Sequence, residues 1–193
     1  MGREFELKYR ATETQMQLLL KKYHTGAAHR ISMETTYYDT ADRSLSARKW
    51  TLRLRGENGE SICTLKIPLS DGSRGEWETK AASIALGIEE LCKLGAPKDL
   101  LFLTAGGVEP VCGARFTRLA CPLTIPECAV ELALDQGVLL GGGKEENLYE
   151  VEVELKAGSE IAAVAFAEAL AKEHGLVPEK QSKFRRAMLL AQS

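Results

Sequence analysis

The sequence predicts an α+β fold in which eight short antiparallel strands close into a barrel, with a charged interior and helices packed on the outside. Three observations carry this expectation. Segments along the chain alternate apolar and polar residues with a period of two, the mark of a strand whose side chains point to opposite faces. On most of these segments the polar positions hold full charges rather than Ser, Thr or Asn. Amphipathic helical stretches lie between them and need an apolar surface to cover. Charged faces turned outward would leave an aliphatic interior and nothing apolar under the helices. The arrangement is therefore inverted, and charge lines the lumen.

The first strand, Arg3 to Arg10, places Glu4, Glu6, Lys8 and Arg10 on one face and Phe5, Leu7 and Tyr9 on the other. Two carboxylates two residues apart stand about 7 Å apart along a strand, near enough to serve a common cation. Taken alone, a solvated face would look the same. Thr12 and Gln15 have capping-box spacing, and Met16, Leu19, Leu20 and Tyr23 then recur as one face of a helix. Glu34 to Thr40 is β-branched and aromatic, a second strand. Lys49 to Arg55 is a third, with Arg53 and Arg55 side by side on one face; such a pair is either solvated or grips an anion. Ser61 to Ile67 carries Thr64 and Lys66 on its polar side, and Arg74 to Glu78 carries Arg74, Glu76 and Glu78. Ser83 to Leu94 and Pro97 to Thr104 read as helices that cover the sheet. Arg115 to Pro122, with Arg118, and Cys128 to Gln136, with Glu131 and Asp135, flank a Thr-Ile-Pro-Glu turn. Leu148 to Lys156 aligns Glu150, Glu152 and Glu154, which repel one another unless cations neutralise them. Ser159 caps a helix from Glu160 to His174, and a last helix from about Glu179 carries Lys183 and Arg186.

Composition narrows the function. The 193 residues contain no Pro/Ser/Gly-rich or charged linker, so a single domain over 1–193 is expected. An apolar fraction of 45% is ample for a core, and no apolar run approaches the roughly 20 residues of a membrane span. Acids stand where a secretory signal would have its apolar stretch, so the cytoplasm is the default location. Five cysteines without C-x-x-C pairs or paired histidines indicate neither a disulfide framework nor structural zinc. A net charge of −2 with no basic tail argues against nucleic acid as a partner, and no membrane partner is expected. The apolar outer faces of such a barrel are compatible with a homodimer.

Burying so many ions without a ligand would cost several kcal/mol each. The lumen is therefore expected to be wet and to bind metal ions on its acids and a polyanion on its bases, needs that a metal-chelated polyphosphate meets together. Glu4-x-Glu6-x-Lys8, Leu52-Arg53-Leu54-Arg55, Thr64-Leu65-Lys66, Arg74-x-Glu76, Glu131 to Asp135, Glu150 to Glu154 and Ser182-Lys183 resemble, in order and nearly end to end, the CYTH domain of the triphosphate tunnel metalloenzymes. Within that family the runs Tyr37-Tyr38-x-Thr40, Leu52 to Gly59 and Ala133 to Gly137 look most like the bacterial inorganic triphosphatases. Many of those carry a further C-terminal, histidine-containing helical domain, which is not expected here.

The resemblance implies Mg²⁺ or Mn²⁺ held by Glu4, Glu6, Glu152 and Glu154 with Glu150 or Glu131. It implies a small-molecule triphosphate clamped by Lys8, Arg53, Arg55, Lys66, Arg118 and Lys183, with Arg74 and Arg186. Glu4, Glu6, Lys8 and Lys66 would be catalytic in hydrolysing tripolyphosphate to pyrophosphate and phosphate, with Lys66 or a metal-activated water handling the proton. Where relatives often carry further bases after the arginine of the sixth strand, this chain has Leu119-Ala120-Cys121. The same tunnel also suits a thiamine triphosphatase, a nucleoside triphosphatase, a class IV-type adenylyl cyclase or a non-catalytic polyphosphate-binding module. Trp50 and Trp77 fall on the apolar face, where they pack as core rather than line the tunnel mouth for thiamine.

Overall fold

The N-terminal segment expected as one strand is two: β1 (Gly2–Arg3) pairs with β6 (Arg74–Lys80), and β2 (Glu6–Arg10) pairs with β9 (Lys144–Gly158). The computed structural model describes residues 2, 3, 5–70 and 74–193, the first two by backbone alone, so Glu4 lies outside the described residues. The remaining strands are β3 (His29–Asp39), β4 (Thr51–Glu57), β5 (Glu60–Pro68), β7 (Glu109–Ile125), β8 (Cys128–Gly141) and β10 (Val177–Pro178). All belong to one antiparallel sheet in the order β1-β6-β5-β4-β3-β7-β8-β9-β2-β10.

The closed eight-stranded barrel is thus corrected: among the described residues the strands form one ten-stranded sheet that runs from β1 to β10 without closing. Among the described residues no ladder joins β6 to β2. The cause lies in the N-terminal segment: its first part pairs with β6, while the far end of β2, Arg10 and Tyr9, is taken by Val177 and Pro178 of β10. The curled sheet nevertheless places side chains from β2, β3, β4, β5, β6, β7 and β9 around one cavity.

Five of the six helices among the described residues lie as the alternation requires. α1 (Glu13–Tyr23), closed by the Thr12/Gln15 capping box, and α5 (Glu160–His174), capped by Ser159, bury Met16, Leu19, Ala163, Ala167 and Leu170 against the apolar faces of β2, β8 and β9. α3 (Ile84–Lys93) and α4 (Asp99–Leu103) cover β4 to β6, where Leu52, Leu65, Leu91, Leu100 and Trp77 are buried. Trp50 packs against the same cluster, so both tryptophans belong to the outer core. α2 (Ser44–Ala47), a single turn too short to show a periodicity in the sequence, buries Leu45 there.

The last helix departs from the expectation of helices outside. α6 begins at Lys183, not near Glu179, and runs to Gln192 across the inner face of β7, β8 and β9. Its Ala187 is buried with Met33, Ala114, Phe116, Leu139 and Leu148. Glycine permits the close approach: a Cβ on Gly141 would stand 2.3 Å from the Ala187 carbonyl oxygen. No helix among the described residues is long and apolar enough to cross a membrane.

The cysteines form no disulfide. Burial pushes the thiols of Cys63 and Cys112 up to about 12 and that of Cys121 up to about 11. Iodoacetamide near neutral pH is expected to leave these three unmodified in the folded protein and to modify them in denaturant. Peptide mass spectrometry reads the difference.

Candidate active site

Lys8 of β2, Arg53 and Arg55 of β4, Lys66 of β5, Arg74 of β6, Arg118 of β7 and Lys183 of α6 line a cavity of about 110 Å³, together with Glu6 and Glu152. Strand parity and register bring them together. Directly paired residues in antiparallel strands share a face, so Tyr37, Arg53, Thr64 and Glu78 form one row, and Thr51, Lys66 and Glu76 another. At one end the cavity continues into a further 280 Å³ space that adds Glu131, Glu154 and Lys156.

The two arginines of β4 are held side by side with incomplete compensation. Arg55 contacts Glu57 and, at 3.5 Å, Glu78, while among the described residues Arg53 has its ion-pair partner in Glu76 at 3.9 Å. The Nε of each is buried with no hydrogen-bond partner. Burial, then repulsion by Arg53, hold the Arg55 guanidinium below the usual arginine range against the pull of Glu57 and Glu78. Guanidinium side chains that line a cavity and keep a buried donor without an acceptor suit a multidentate anion.

Beneath them lies a balanced ion network. Lys183 Nζ contacts Asp135 at 2.8 Å, Glu152 at 2.7 Å and Glu150. Arg118 donates from Nε and Nη2 to Asp135 at 2.7 Å each, and also to Glu152. Burial opposes both charges, but the carboxylates outweigh it and hold the ammonium and the guanidinium well above their ordinary ranges. Burial likewise opposes ionisation of Glu152, yet Lys183 and Arg118 hold its carboxyl well below the usual range. Glu150 goes the other way. Burial and the neighbouring Glu152 push it up to about 7 in spite of Lys183. Lys183 also stands 5.3 Å from the Phe116 ring centroid, and Phe184 packs on Tyr37 at 5.1 Å.

Two of the expected site residues do not reach the lumen. Glu150 is fully buried under Lys183, and Arg186 turns to Glu150 at 3.3 Å and Glu146 at 2.8 Å, beside a separate depression. Conversely, Asp135 emerges as the anchor of Arg118 and Lys183, and Lys156 as the partner of Glu154 at 2.7 Å and Glu131 at 3.8 Å. The parity that grouped Glu131 with Asp135 already pointed to the former; the latter stands one strand step beyond Glu154 on the same face.

Two sets of acids are candidates for a divalent cation. Asp135, Glu150 and Glu152 have carboxylate oxygens within 4.8 Å of one another, but the Lys183 ammonium already sits among them. Glu6, Glu154 and Glu131 are paired in register across β2, β9 and β8, so their side chains form a row of oxygen donors. Among the described residues their ion-pair partners include Lys8, 3.3 Å from Glu6, and Lys156. That row fits a hard cation better, because lysine ammonium groups on flexible stems move aside more readily than bidentate arginine pairs.

The chain is similar to known proteins in sequence and in fold. An inorganic triphosphatase of Haemophilus influenzae is 29% identical over 196 residues, a match that covers 98% of this chain and 55% of that protein; the chain spans about half the length of that relative. A Hippeastrum protein with a dominant triphosphatase activity superposes with a TM-score of 0.65 at 21% identity, over 94% of this chain and 93% of its own. A Bacillus halodurans protein to which an adenylate cyclase role has been ascribed gives 0.66 at 20%, over 96% and 98%. At that identity the likeness is one of fold. The CYTH domain model matches residues 2–188, a span that takes in every charged strand of the lumen and the first half of α6, and the chain belongs to the CYTH family.

Proposed function

We propose that the protein hydrolyses inorganic triphosphate to pyrophosphate and phosphate in a metal-dependent reaction within the lumen. The observation that carries the reading is the pair Arg53 and Arg55, whose buried Nε donors lack acceptors while neighbouring cations from β2, β5, β7 and α6 face the same space. A compact polyanion supplies acceptors and charge to all of them; phosphoryl transfer needs positioning and neutralisation more than covalent help. The triphosphatase relative and the Hippeastrum neighbour support the same chemistry.

Glu6, Glu154 and Glu131, with Glu152 at the next step of β9, would hold Mg²⁺ or Mn²⁺, which when bound neutralises phosphate oxygens and lowers the pKa of water. Arg53, Arg55 and Lys66 orient the terminal phosphoryl group. Water attacks its phosphorus, the bridging P–O bond breaks, and pyrophosphate leaves with its charge on Lys8, Arg118 and Lys183. The attacking water's proton would pass to a phosphate oxygen of the product, while Lys66, 3.3 Å from Glu76, would steady the terminal phosphoryl group as a cation.

Phosphate release from tripolyphosphate, ATP, thiamine triphosphate and pyrophosphate, with Mg²⁺, Mn²⁺ or chelator, tests this. Tripolyphosphate is expected to be cleaved fastest and only with metal. Glu154→Gln is expected to lower the rate at least ~100-fold. Faster turnover of ATP or thiamine triphosphate would move the activity to that substrate.

A further inference from the structure

Among the described residues eight large apolar side chains are left exposed, and four of them gather on the cover formed by α3 and α4: Leu86 at 53%, Leu94 at 56%, Leu101 at 43% and Phe102 at 80%. The other four are spread over α1, α5, β10 and α6. Single exposed hydrophobics are ordinary, whereas a group of them on one face marks a surface that is covered in use. The group is also joined in structure. α4 packs on α3, the backbone of Leu101 bonds the Cys92 thiol, and Leu94 is the C-cap residue of α3, so Leu94, Leu101 and Phe102 stand together at the C-terminal end of α3.

The charges between these side chains have an order. Helical spacing turns Gly87, Ile88 and Leu91 of α3 into the core, which leaves Leu86, Glu89 and Lys93 as the outward stripe. From its N-terminal end the face therefore reads apolar, acidic, basic, apolar. Lys93 is two-thirds exposed even though it pairs with Glu90 at 2.7 Å within the chain. Such an order complements itself when turned end for end. Two antiparallel copies of α3 set Glu89 of each against Lys93 of the other, and Leu86 of each against the group at Leu94, Leu101 and Phe102. A parallel pairing would set Glu89 on Glu89 and Lys93 on Lys93.

We infer that the α3–α4 face binds a second copy of this chain across a twofold axis, with the two α3 helices antiparallel. In such an isologous contact each residue is used twice, so one apolar group and one acid–base pair per chain make a closed interface. Charge decides for a second copy over a partner of one sign. A uniformly acidic surface would meet Glu89 in repulsion and a uniformly basic one would meet Lys93, whereas a second α3 satisfies both. The inference does not depend on what the lumen binds. α3 packs on β5 and β6, whose other faces carry Lys66 and Glu76 inward, so the contact backs the lumen wall without touching the residues that line it.

Sedimentation equilibrium of the full chain, from low to high micromolar concentration, tests this. The wild type is expected to approach twice the 21.1 kDa mass of one chain as concentration rises. Phe102→Ser is expected to weaken the association at least ~30-fold, as the loss of an aromatic anchor does. Glu89→Lys, which sets lysine against lysine at both ends of the twofold, is expected to weaken it at least ~10-fold, and Glu89→Lys/Lys93→Glu to return it to within ~3-fold of wild type. The altered positions are exposed, and the melting temperature of each variant at a dilution where the chain is monomeric confirms the fold. A wild type that stays monomeric at every concentration, its face bare or left to a different partner, would overturn the inference. So would a dimer indifferent to Phe102→Ser, or a double exchange that associates no better than Glu89→Lys alone.

Discussion

Lys183→Met is expected to be the most damaging single substitution in the lumen. The ammonium sits among Asp135, Glu150 and Glu152, two of them fully buried, and nothing else described contacts all three. Removing one partner of a buried ion network costs about 3–5 kcal/mol, because the abandoned carboxylates stay desolvated. For a chain of this size each kcal/mol lowers the melting temperature by roughly 2–4 °C, and calorimetry would resolve the loss. The pH dependence should change as well. Glu152, held below the ordinary carboxylate range by Lys183 and Arg118, contributes stability that is present above its unfolded pKa of 4.5 and lost as pH falls through its folded value. In the variant that acid-side contribution shrinks. Glu150 has the opposite sign: its carboxyl, raised from 4.5 to about 7, makes ionisation costly as pH rises through that window. Without Lys183 the cost grows, so the variant is expected to lose most stability near and above neutrality.

Arg53→Gln/Arg55→Gln is expected to separate stability from function. These guanidiniums repel each other, and each holds a buried Nε without an acceptor, so their removal relieves a penalty. The carboxylates left behind, Glu57, Glu76 and Glu78, keep 21–41% of their side-chain surface in water and are hydrated rather than stranded. The melting temperature should therefore stay close to wild type or rise. A hydrogen bond to a charged group is worth about 1.5–3 kcal/mol, so each lost arginine should weaken tripolyphosphate binding by roughly 10- to 100-fold. Thermal melting together with KM for tripolyphosphate checks both halves. Parallel loss of stability and affinity would mean that the arginines serve the fold.

Most of the lumen was legible in the sequence because a strand's period of two fixes which residues share a face, whatever the strand pairs with. Lys8, Arg53, Arg55, Lys66, Arg118, Glu152 and Glu154 reach the passage for that reason. What alternation does not encode is which edge pairs with which. The split of the first strand, with β1 on β6 and β2 on β9, depends on long-range registers that no local pattern reveals. The last helix shows the same limit. Their spacing makes Lys183 and Arg186 two cations one turn apart, but the two side chains diverge: Lys183 enters the lumen while Arg186 turns to Glu146 and Glu150. That divergence follows from α6 lying on the inner face of the sheet, against Gly141, a placement set by packing rather than by its own periodicity.

Phosphorus-31 NMR of tripolyphosphate incubated with the protein and Mg²⁺ tests the central claim most directly. The prediction is one pyrophosphate and one orthophosphate for each tripolyphosphate consumed, with the reaction stopped by chelator. A tripolyphosphate spectrum that stays unchanged in the presence of Mg²⁺, or one consumed equally fast in chelator, would contradict it.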